Sequence, residues 1–326
     1  MAAMRVLITG CAGFIGSNLT QRCIDEGWET WGVDDLSNGH REFLPSNWPG
    51  WKLFLPSDFA GPEVLRAIQD KKFDVIFHLA AVPRVSYSVK YPLKTHDVNV
   101  TRTLELLNAA RDNVKRVVFA SSSSVYGGAE RMPTPEDEPR HCRSPYALQK
   151  SIIEDYLALY ASLYGLDSVA LRFFNVFGPH QLGDSPYATA VSAWLDAIKR
   201  GRPMRSDGDG TQTRDMCYVD NVVQACVLAA TVDKQWIDRF RCYNVACGDR
   251  TANFEISAAL MKRFPQAQIQ TAPWRPGDVM HTQADISKIS RDLGYVPRVR
   301  FWEGLDRTID WYERSWSSIK DMKLHT

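Results

Sequence analysis

The chain has 326 residues, with 39 Lys and Arg against 38 Asp and Glu, a formal net charge of +1 and 44% hydrophobic residues. At ~150 residues per domain that is material for about two globular domains, or for one large α/β unit with an appended lobe. Balanced charge offers no basic stripe for a phosphate backbone and no acidic tail, so nucleic acid and anionic membrane are set aside in favour of small molecules or a second copy.

Arg5–Thr9 predicts a first strand. No basic segment followed by a long apolar stretch precedes it, so no signal peptide is expected and the cytoplasm is the expected location. Further strands are predicted at Glu29–Asp34, Lys52–Leu55, Asp74–Leu79, Lys115–Ser121 and Ser168–Phe173, alternating with helical patterns at 14–26, 62–70, 93–112 and 144–164. The alternation predicts βαβ units with right-handed crossovers, and so an α/β fold with a doubly wound parallel sheet of the Rossmann class. After Phe174 it loosens, punctuated by Gly178-Pro179, Gly183, Gly201 and Gly208-Asp209-Gly210. The predicted division is a sheet domain over 1–174, to which part of 216–250 returns, and a smaller C-terminal α/β lobe over 175–326. The longest apolar run, Val222 to Ala230, is interrupted by Gln224 and falls short of the ~20 residues a bilayer span requires. Seven cysteines show neither CxxC nor Cys/His metal spacing, so reduced, mostly buried thiols are expected and no metal is.

The first predicted strand runs into Thr9-Gly10-Cys11-Ala12-Gly13-Phe14-Ile15-Gly16, which opens directly into a helix. Glycines at these points permit a tight turn, close approach of backbone to a pyrophosphate and close helix packing, while the helix N-terminus supplies amides and the positive end of its dipole. A glycine triad alone also fits an ordinary turn. Here, about 20 residues on, Asp34 ends the second strand, where a carboxylate takes the ribose hydroxyls of adenosine. That favours NAD over NADP, whose 2′-phosphate would meet a like charge. Asp35 is the alternative acceptor and Asp58 is placed near adenine; both also fit as loop acids.

The fifth strand runs into Ala120-Ser121-Ser122-Ser123-Ser124-Val125-Tyr126-Gly127, so its hydroxyls stand at the carboxyl end, where open α/β sheets bind ligands. Tyr146-Ala147-Leu148-Gln149-Lys150 follows, with Ser144-Pro145 as the helix start. A spacing of four puts Tyr146 and Lys150 on one helix face. A phenol with a pKa near ~10 is a poor base at neutral pH, whereas a nearby ammonium and an oxidised nicotinamide favour the phenolate. YxxxK alone would fit an amphipathic helix with a core tyrosine; together with the glycine loop it points to redox catalysis. His78 reads as a structural histidine beside the cofactor, and His281 has no Cys or His partner for a metal. Trp194, Trp302 and Trp311 are expected in the core or between lobes.

The glycine loop, Asp34, His78-Leu79-Ala80-Ala81, the SSSSVYG and YALQK runs and Arg172-Phe173-Phe174-Asn175-Val176-Phe177-Gly178 resemble, across nearly the whole chain, an extended short-chain dehydrogenase/reductase of the nucleotide-sugar-modifying class. The C-terminal half is similar to UDP-hexose 4-epimerases, especially those acting on UDP-N-acetylhexosamines, through Gly208–Asp215, Arg275-Pro276-Gly277-Asp278 and Ala284–Lys288. The resemblance implies a tightly held NAD, regenerated in each turnover and contacted by Gly10, Gly13, Phe14, Ile15, Gly16, Asp34, Asp35, Asn38, Asp58, Phe59, Leu79, Ala80, Ala81, Asn99, Ser121, Tyr146 and Lys150. It implies that Tyr146 takes the proton of the sugar 4-hydroxyl while hydride leaves C4, and that Ser122 bonds the same oxygen. A transient 4-keto sugar then turns over about its pyrophosphate tether and takes the hydride back on its other face. Arg214 and Arg275 match positions that grip the diphosphate, a role suited to a fixed cationic fork. Asn175 matches a diphosphate contact, Asp278 an acceptor for the nucleotide ribose, and Arg84, Ser123 and Thr282 match the sugar site, with Arg84 in a loop over 83–88. The 175–326 lobe is then mainly nucleotide-sugar-binding, and helices 93–112 and 144–164 would pair across a two-fold axis in a homodimer.

Sugar 4,6-dehydratases of this class carry an Asp-Glu pair after the serine equivalent, and UDP-glucuronate decarboxylases carry a glutamate at the second of those positions; Ser123-Ser124 stand there instead. Epimerisation at C4 needs only the residues present. Thr282 occupies a position where a tyrosine restricts the pocket to glucose and galactose, which implies room for an N-acetyl group. The expected substrates are UDP-GlcNAc/UDP-GalNAc, with UDP-Glc/UDP-Gal able to enter. Arg84 keeps a UDP-glucuronate 4-epimerase or another nucleotide-sugar oxidoreductase open. From a different class, a catalytically silent NAD-binding redox sensor is the alternative, and the intact Ser122, Tyr146 and Lys150 set counts against it.

Overall fold

In the first strand Val6 and Ile8 enter one apolar cluster and Leu7 another, and all three are fully buried, as a strand covered on both faces requires. The computed structural model describes residues 3–46, 52–83, 85–184, 188–232, 238–274 and 279–322. Its first half runs β1 (Arg5–Thr9), α1 (Phe14–Asp25), β2 (Glu29–Val33), β3 (Lys52–Phe54), α2 (Pro62–Gln69), β4 (Val75–His78), α3 (Val85–Lys90), α4 (Pro92–His96), α5 (Arg102–Ala110), β5 (Arg116–Ser122), α6 (Pro145–Tyr164) and β6 (Ser168–Phe173). The second half adds β7 (Asn175–Phe177), α7 (Ala190–Lys199), β8 (Met204–Asp207), β9 (Thr213–Arg214), β10 (Met216–Tyr218), α8 (Val219–Thr231), β11 (Phe240–Val245), β12 (Thr251–Ala252), α9 (Asn253–Arg263), β13 (Ile269–Ala272), α10 (Ser287–Leu293) and α11 (Phe301–Ile319).

Seven strands form one parallel sheet in the order β11-β6-β5-β4-β1-β2-β3. On one face Val6, Ile8, Phe77, Val118 and Leu171 pack with Leu19 and Cys23 of α1 and Val222 and Cys226 of α8. On the other, Leu7, Ile76, Val117 and Phe119 pack with Ile68 of α2, Leu106 of α5 and Ile153 and Leu157 of α6. The strand order reverses between β1 and β4, and at such a switch point a crevice opens beyond the carboxyl ends of the strands. Two-stranded pairs β7–β10, β9–β12 and β8–β13 lie outside the main sheet.

Three expectations differ from the structure. The helix predicted over 93–112 is interrupted by a π-helical turn over Asp97–Thr101; there Asn99 takes Val82 N–H on Oδ1 at 2.7 Å and donates Nδ2 to Val82 O at 3.1 Å. The segment read as a loop over 83–88 enters α3 at Val85, because Ser88 Oγ turns back to Val85 O at 2.7 Å and accepts the N–H of Tyr146 at 3.1 Å. Trp302 is 49% exposed on the first turn of α11 rather than packed, whereas Trp194 is buried and Trp311 stacks edge-on to Phe43 and His180. All seven cysteines are free and five are buried. No cluster of metal-ligating side chains occurs among the described residues, and no helix there is long and apolar enough to cross a membrane.

Candidate active site

At the end of β1 the chain turns at Gly10 with φ +71, where an added Cβ would lie 2.9 Å from Ala80 N. On the first turn of α1, a Cβ on Gly16 would lie 1.9 Å from Gly10 O. Only glycines let the helix start and the β4 loop converge this closely. Gly13 is the N-cap and provides no side-chain cap, so the first amides of α1, from Phe14 and Ile15 onward, have no capping side chain, as an anion-binding helix start requires. A tight glycine turn at a helix start that has no side-chain cap is the fit expected for a dinucleotide pyrophosphate.

Asp34 leaves β2 because its carboxylate accepts Ala12 N and Leu36 N, each at 2.9 Å. Burial pushes its pKa up, with those amides opposing. Asp35 accepts Ser37 N, Asn38 follows half-buried in the same turn, and Asp58 accepts Ala60 N and pairs with Arg102 at 3.0 Å. Phe59 leans on the His78 ring at 4.9 Å between centroids. The His78 imidazole is saturated by Thr9 Oγ1 at 2.8 Å and Thr103 Oγ1 at 2.9 Å. Burial, and then the charge of Lys150, lower its pKa to about 3, so it stays neutral and structural. Thr9 also holds the strand exit, accepting Leu79 N on its carbonyl and Ala80 N on Oγ1 at 3.1 Å, which sets Leu79, Ala80 and Ala81 against the glycine turn. The polar atoms of Asn99 are bonded to Val82 and, through Nδ2 at 2.8 Å, to Gln149 Oε1. Asn99 thus ties this exit loop to α6.

Helix α6 begins at Ser144, whose Oγ accepts Ala147 N at 3.1 Å, with Pro145 at its first position. Tyr146 and Lys150 fall on its buried face. Lys150 Nζ donates to Ala120 O at 2.7 Å and lies 5.8 Å from the centre of the Tyr146 ring. Burial lowers the Lys150 pKa to about 7, with Glu154 opposing the fall. Ser122 ends β5 two residues beyond Ala120 and caps a 3-10 turn over Ser123–Tyr126, its Oγ accepting Ser124 N at 3.2 Å. Ser122, Tyr146 and Lys150 therefore share the carboxyl end of β5, beside the glycine cradle.

Beneath them lies a buried network that sequence reasoning missed. Glu154, one turn beyond Lys150, is gripped by Arg172 through Nε at 2.9 Å and Nη2 at 2.7 Å, and it accepts Ser121 Oγ at 2.6 Å. Arg172 Nη1 donates to Tyr126 at 2.8 Å, and Tyr126 donates to Asn244 Oδ1 at 2.6 Å. The available signal was the spacing: positions 146, 150 and 154 form one stripe on the helix, and a carboxylate there must be paired.

Ser123 is half-buried in the 3-10 turn beside Ser122, and Asn175 opens β7. Arg214 on β9 donates Nη1 to Thr213 O at 3.0 Å and Met280 O at 3.1 Å. Thr282 Oγ1 accepts Asp215 N at 3.3 Å. Thr213 O accepts Thr282 N, and His281 bonds Thr213 Oγ1, so the segment after residue 279 is stitched to β9. Arg84, Arg275 and Asp278 lie outside the described residues.

Comparison with known proteins agrees with this geometry. The model of the NAD dependent epimerase/dehydratase family matches residues 6–246. UDP-glucose 4-epimerase of Mycolicibacterium smegmatis is 36% identical over 315 residues, covering 95% of this chain and 98% of that protein. Among solved structures, UDP-N-acetylglucosamine 4-epimerase from Methanobrevibacter ruminantium M1, in complex with UDP-N-acetylmuramic acid, superposes with a TM-score of 0.90 at 34% identity, covering 97% of this chain and 100% of that one. UDP-glucuronic acid 4-epimerase from Bacillus cereus, in complex with UDP-glucuronic acid and NAD, has a TM-score of 0.85 at 29% identity, covering 95% of this chain and 99% of that one. With a Rossmann sheet, a glycine turn that opens into a helix and 4-epimerase relatives over 95–97% of its length, the chain belongs to the NAD dependent epimerase/dehydratase family and is an NAD-dependent epimerase.

Proposed function

We propose that the protein interconverts the C4 epimers of a UDP-linked hexose, with UDP-GlcNAc and UDP-GalNAc the preferred pair and UDP-Glc and UDP-Gal also accepted. The observation that carries this is the placing of Ser122, Tyr146 and Lys150 at one strand end beside the cradle of Gly10, Gly13 and Gly16. NAD, when bound, supplies the acceptor and then the donor of the C4 hydride. Tyr146 Oη takes the proton of the 4-hydroxyl and later returns it, and Ser122 Oγ holds the same oxygen. Lys150 favours the phenolate through its charge and holds ribose hydroxyls of the cofactor. Asp34, with Asp35 and Asn38 in the same turn, holds the adenosine ribose. Asp58 and Phe59 border adenine, and Leu79, Ala80 and Ala81 line the nicotinamide side. Asn175, Arg214 and Arg275 hold the diphosphate and Asp278 the nucleotide ribose, leaving the hexose free to turn over its 4-keto form between the two faces. Arg84, Ser123 and Thr282 border the sugar. Ser123 and Ser124 supply no carboxylate for elimination, which supports epimerisation over dehydration.

The test is to incubate the purified protein, without added cofactor, with UDP-GlcNAc, UDP-glucose and UDP-glucuronate in turn and to follow the anomeric protons by NMR. Fastest conversion of UDP-GlcNAc is the expected result. Conversion of UDP-glucuronate alone would move the assignment to a uronate epimerase. No conversion of any of the three, even with NAD supplied, would overturn it. Thr282→Tyr is expected to lower kcat/KM for UDP-GlcNAc relative to UDP-glucose by about 10–100-fold, since a bulkier side chain excludes the N-acetyl group; an unchanged ratio would remove Thr282 from the sugar pocket.

A homodimer formed through α5 and α6 belongs to the same proposal. An open groove of about 640 Å³ there is lined by Val100, Leu104, Ile152, Tyr156 and Tyr160, and Leu159 and Leu163 continue the stripe exposed. Sedimentation analysis is expected to show a dimer that Tyr156→Glu converts to monomer.

A further inference from the structure

Three of the residues proposed to hold or border the substrate stand on separate segments: Asn175 on β7, Arg214 on β9, and Thr282 on the strap that follows residue 279. Asp215, the last residue of the Gly208–Asp215 run and given no role of its own in the sequence, touches all three. Its backbone carbonyl accepts Asn175 N at 3.2 Å, its backbone N–H donates to Thr282 Oγ1 at 3.3 Å, and Arg214 is its chain neighbour. Its side chain is fully buried. The carboxylate accepts Cys247 N at 2.9 Å on Oδ1, and Gly248 N at 3.1 Å and Ala284 N at 3.0 Å on Oδ2. Cys247 and Gly248 lie two and three residues past the end of β11, one edge strand of the main sheet, and Ala284 belongs to the strap. Gln283 Nε2 reinforces the joint by donating to Gly248 O at 2.8 Å. One side chain thus fastens the end of the rigid sheet to the strap, while the main chain of the same residue fastens β7, β9 and Thr282.

We propose that Asp215 is a positioning residue for the nucleotide sugar: it transmits the location of the sheet edge to Arg214, Asn175 and Thr282, and so sets the spacing of the groups that hold the diphosphate and border the hexose. This rests on the functional reading above. A carboxylate suits the task because it has acceptor sites for every one of these amides, whereas a carboxamide must turn an N–H₂ toward at least one of them. None of the hydrogen bonds of Asp215 reaches the glycine turn, Tyr146 or Lys150. The consequence is a separation of effects: loosening Asp215 disturbs substrate affinity and leaves cofactor and chemistry in place.

Asp215→Asn in the full-length holoenzyme is expected to raise KM for the UDP-sugar about 10-fold, with kcat within about twofold of wild type and NAD content per chain unchanged. Affinity for UDP alone, read by calorimetry, is expected to fall by a similar factor. Thr282→Val removes the acceptor of the Asp215 N–H and keeps the branched shape; because Thr282 also borders the hexose, it is read by the affinity for UDP alone, which is expected to fall a few-fold, and it serves if Asp215→Asn does not fold. A purely structural residue would instead lower kcat per chain, NAD content and Tm together. That pattern, or an unchanged KM and UDP affinity in both variants, would overturn the proposal. If the wild-type protein turns over none of the UDP-sugars, the functional reading is what fails, and the UDP affinity of the variants still decides whether Asp215 positions the nucleotide site.

Discussion

Tyr146→Phe is expected to lower kcat by about 10²–10⁴-fold, the usual contribution of a positioned acid–base group, while NAD remains bound. The substitution removes one oxygen and keeps the ring, which is 9% exposed on the buried face of α6. The main-chain bond from Tyr146 N to Ser88 Oγ and the cap at Ser144 involve no phenolic atom and persist. The cradle at Gly10 and Gly16 lies on other elements, so the cofactor count per chain, measured by absorbance after denaturation, is expected to match wild type. Turnover within tenfold of wild type would mean that the proton leaves by another group. Collapsed turnover with unchanged biology would favour the redox-sensor reading.

The second large effect concerns stability. Glu154→Gln is expected to cost about 3–5 kcal/mol, because removing one partner of a buried ion pair leaves the other charge uncompensated. Arg172 is 5% exposed and commits Nε and Nη2 to the two carboxylate oxygens, and Ser121 adds its own hydrogen bond. A glutamine presents one acceptor to this set and turns an N–H₂ toward donors. Urea unfolding at pH 7 reads the loss. The same change acts on Lys150, whose pKa burial lowers to about 7 against the opposing charge of Glu154. Unfolded, the amine titrates near about 10.4, so between these values the unfolded chain holds the extra proton and this group makes stability rise with pH. Without the carboxylate the folded pKa falls further. The window then opens at lower pH, and the alkaline fall in kcat that follows loss of the Lys150 proton moves to lower pH with it. Wild-type stability together with a wild-type pH profile would exclude Glu154 from both roles.

Sequence reasoning was strongest where a contact is made by neighbours along the chain. β1 and β6 appear with the predicted ends, and β2 closes one residue early because Asp34 turns its carboxylate to Ala12 and Leu36. The helix over 93–112 was predicted unbroken. The π-helical turn within it answers to Val82, seventeen residues away, whose main chain Asn99 holds. The strand β11 was not among the predicted strands, although it lies within 216–250, part of which was expected to return to the sheet domain; its burial exists only once β6 is beside it.

Local chemistry in the sequence therefore determined the alternating α/β class, the glycine turn, the acid that follows it and the Tyr146–Lys150 spacing, because each depends on backbone sterics or helical period over a few residues. Only the tertiary structure decided which polar side chains the site leans on. Glu154 meets Arg172 and Ser121, Asn99 meets Gln149, and Asp215 meets Cys247, Gly248 and Ala284 across separations of 18 to 69 residues. A buried polar group must find its partners wherever the fold brings them, and no periodicity in the chain encodes that meeting.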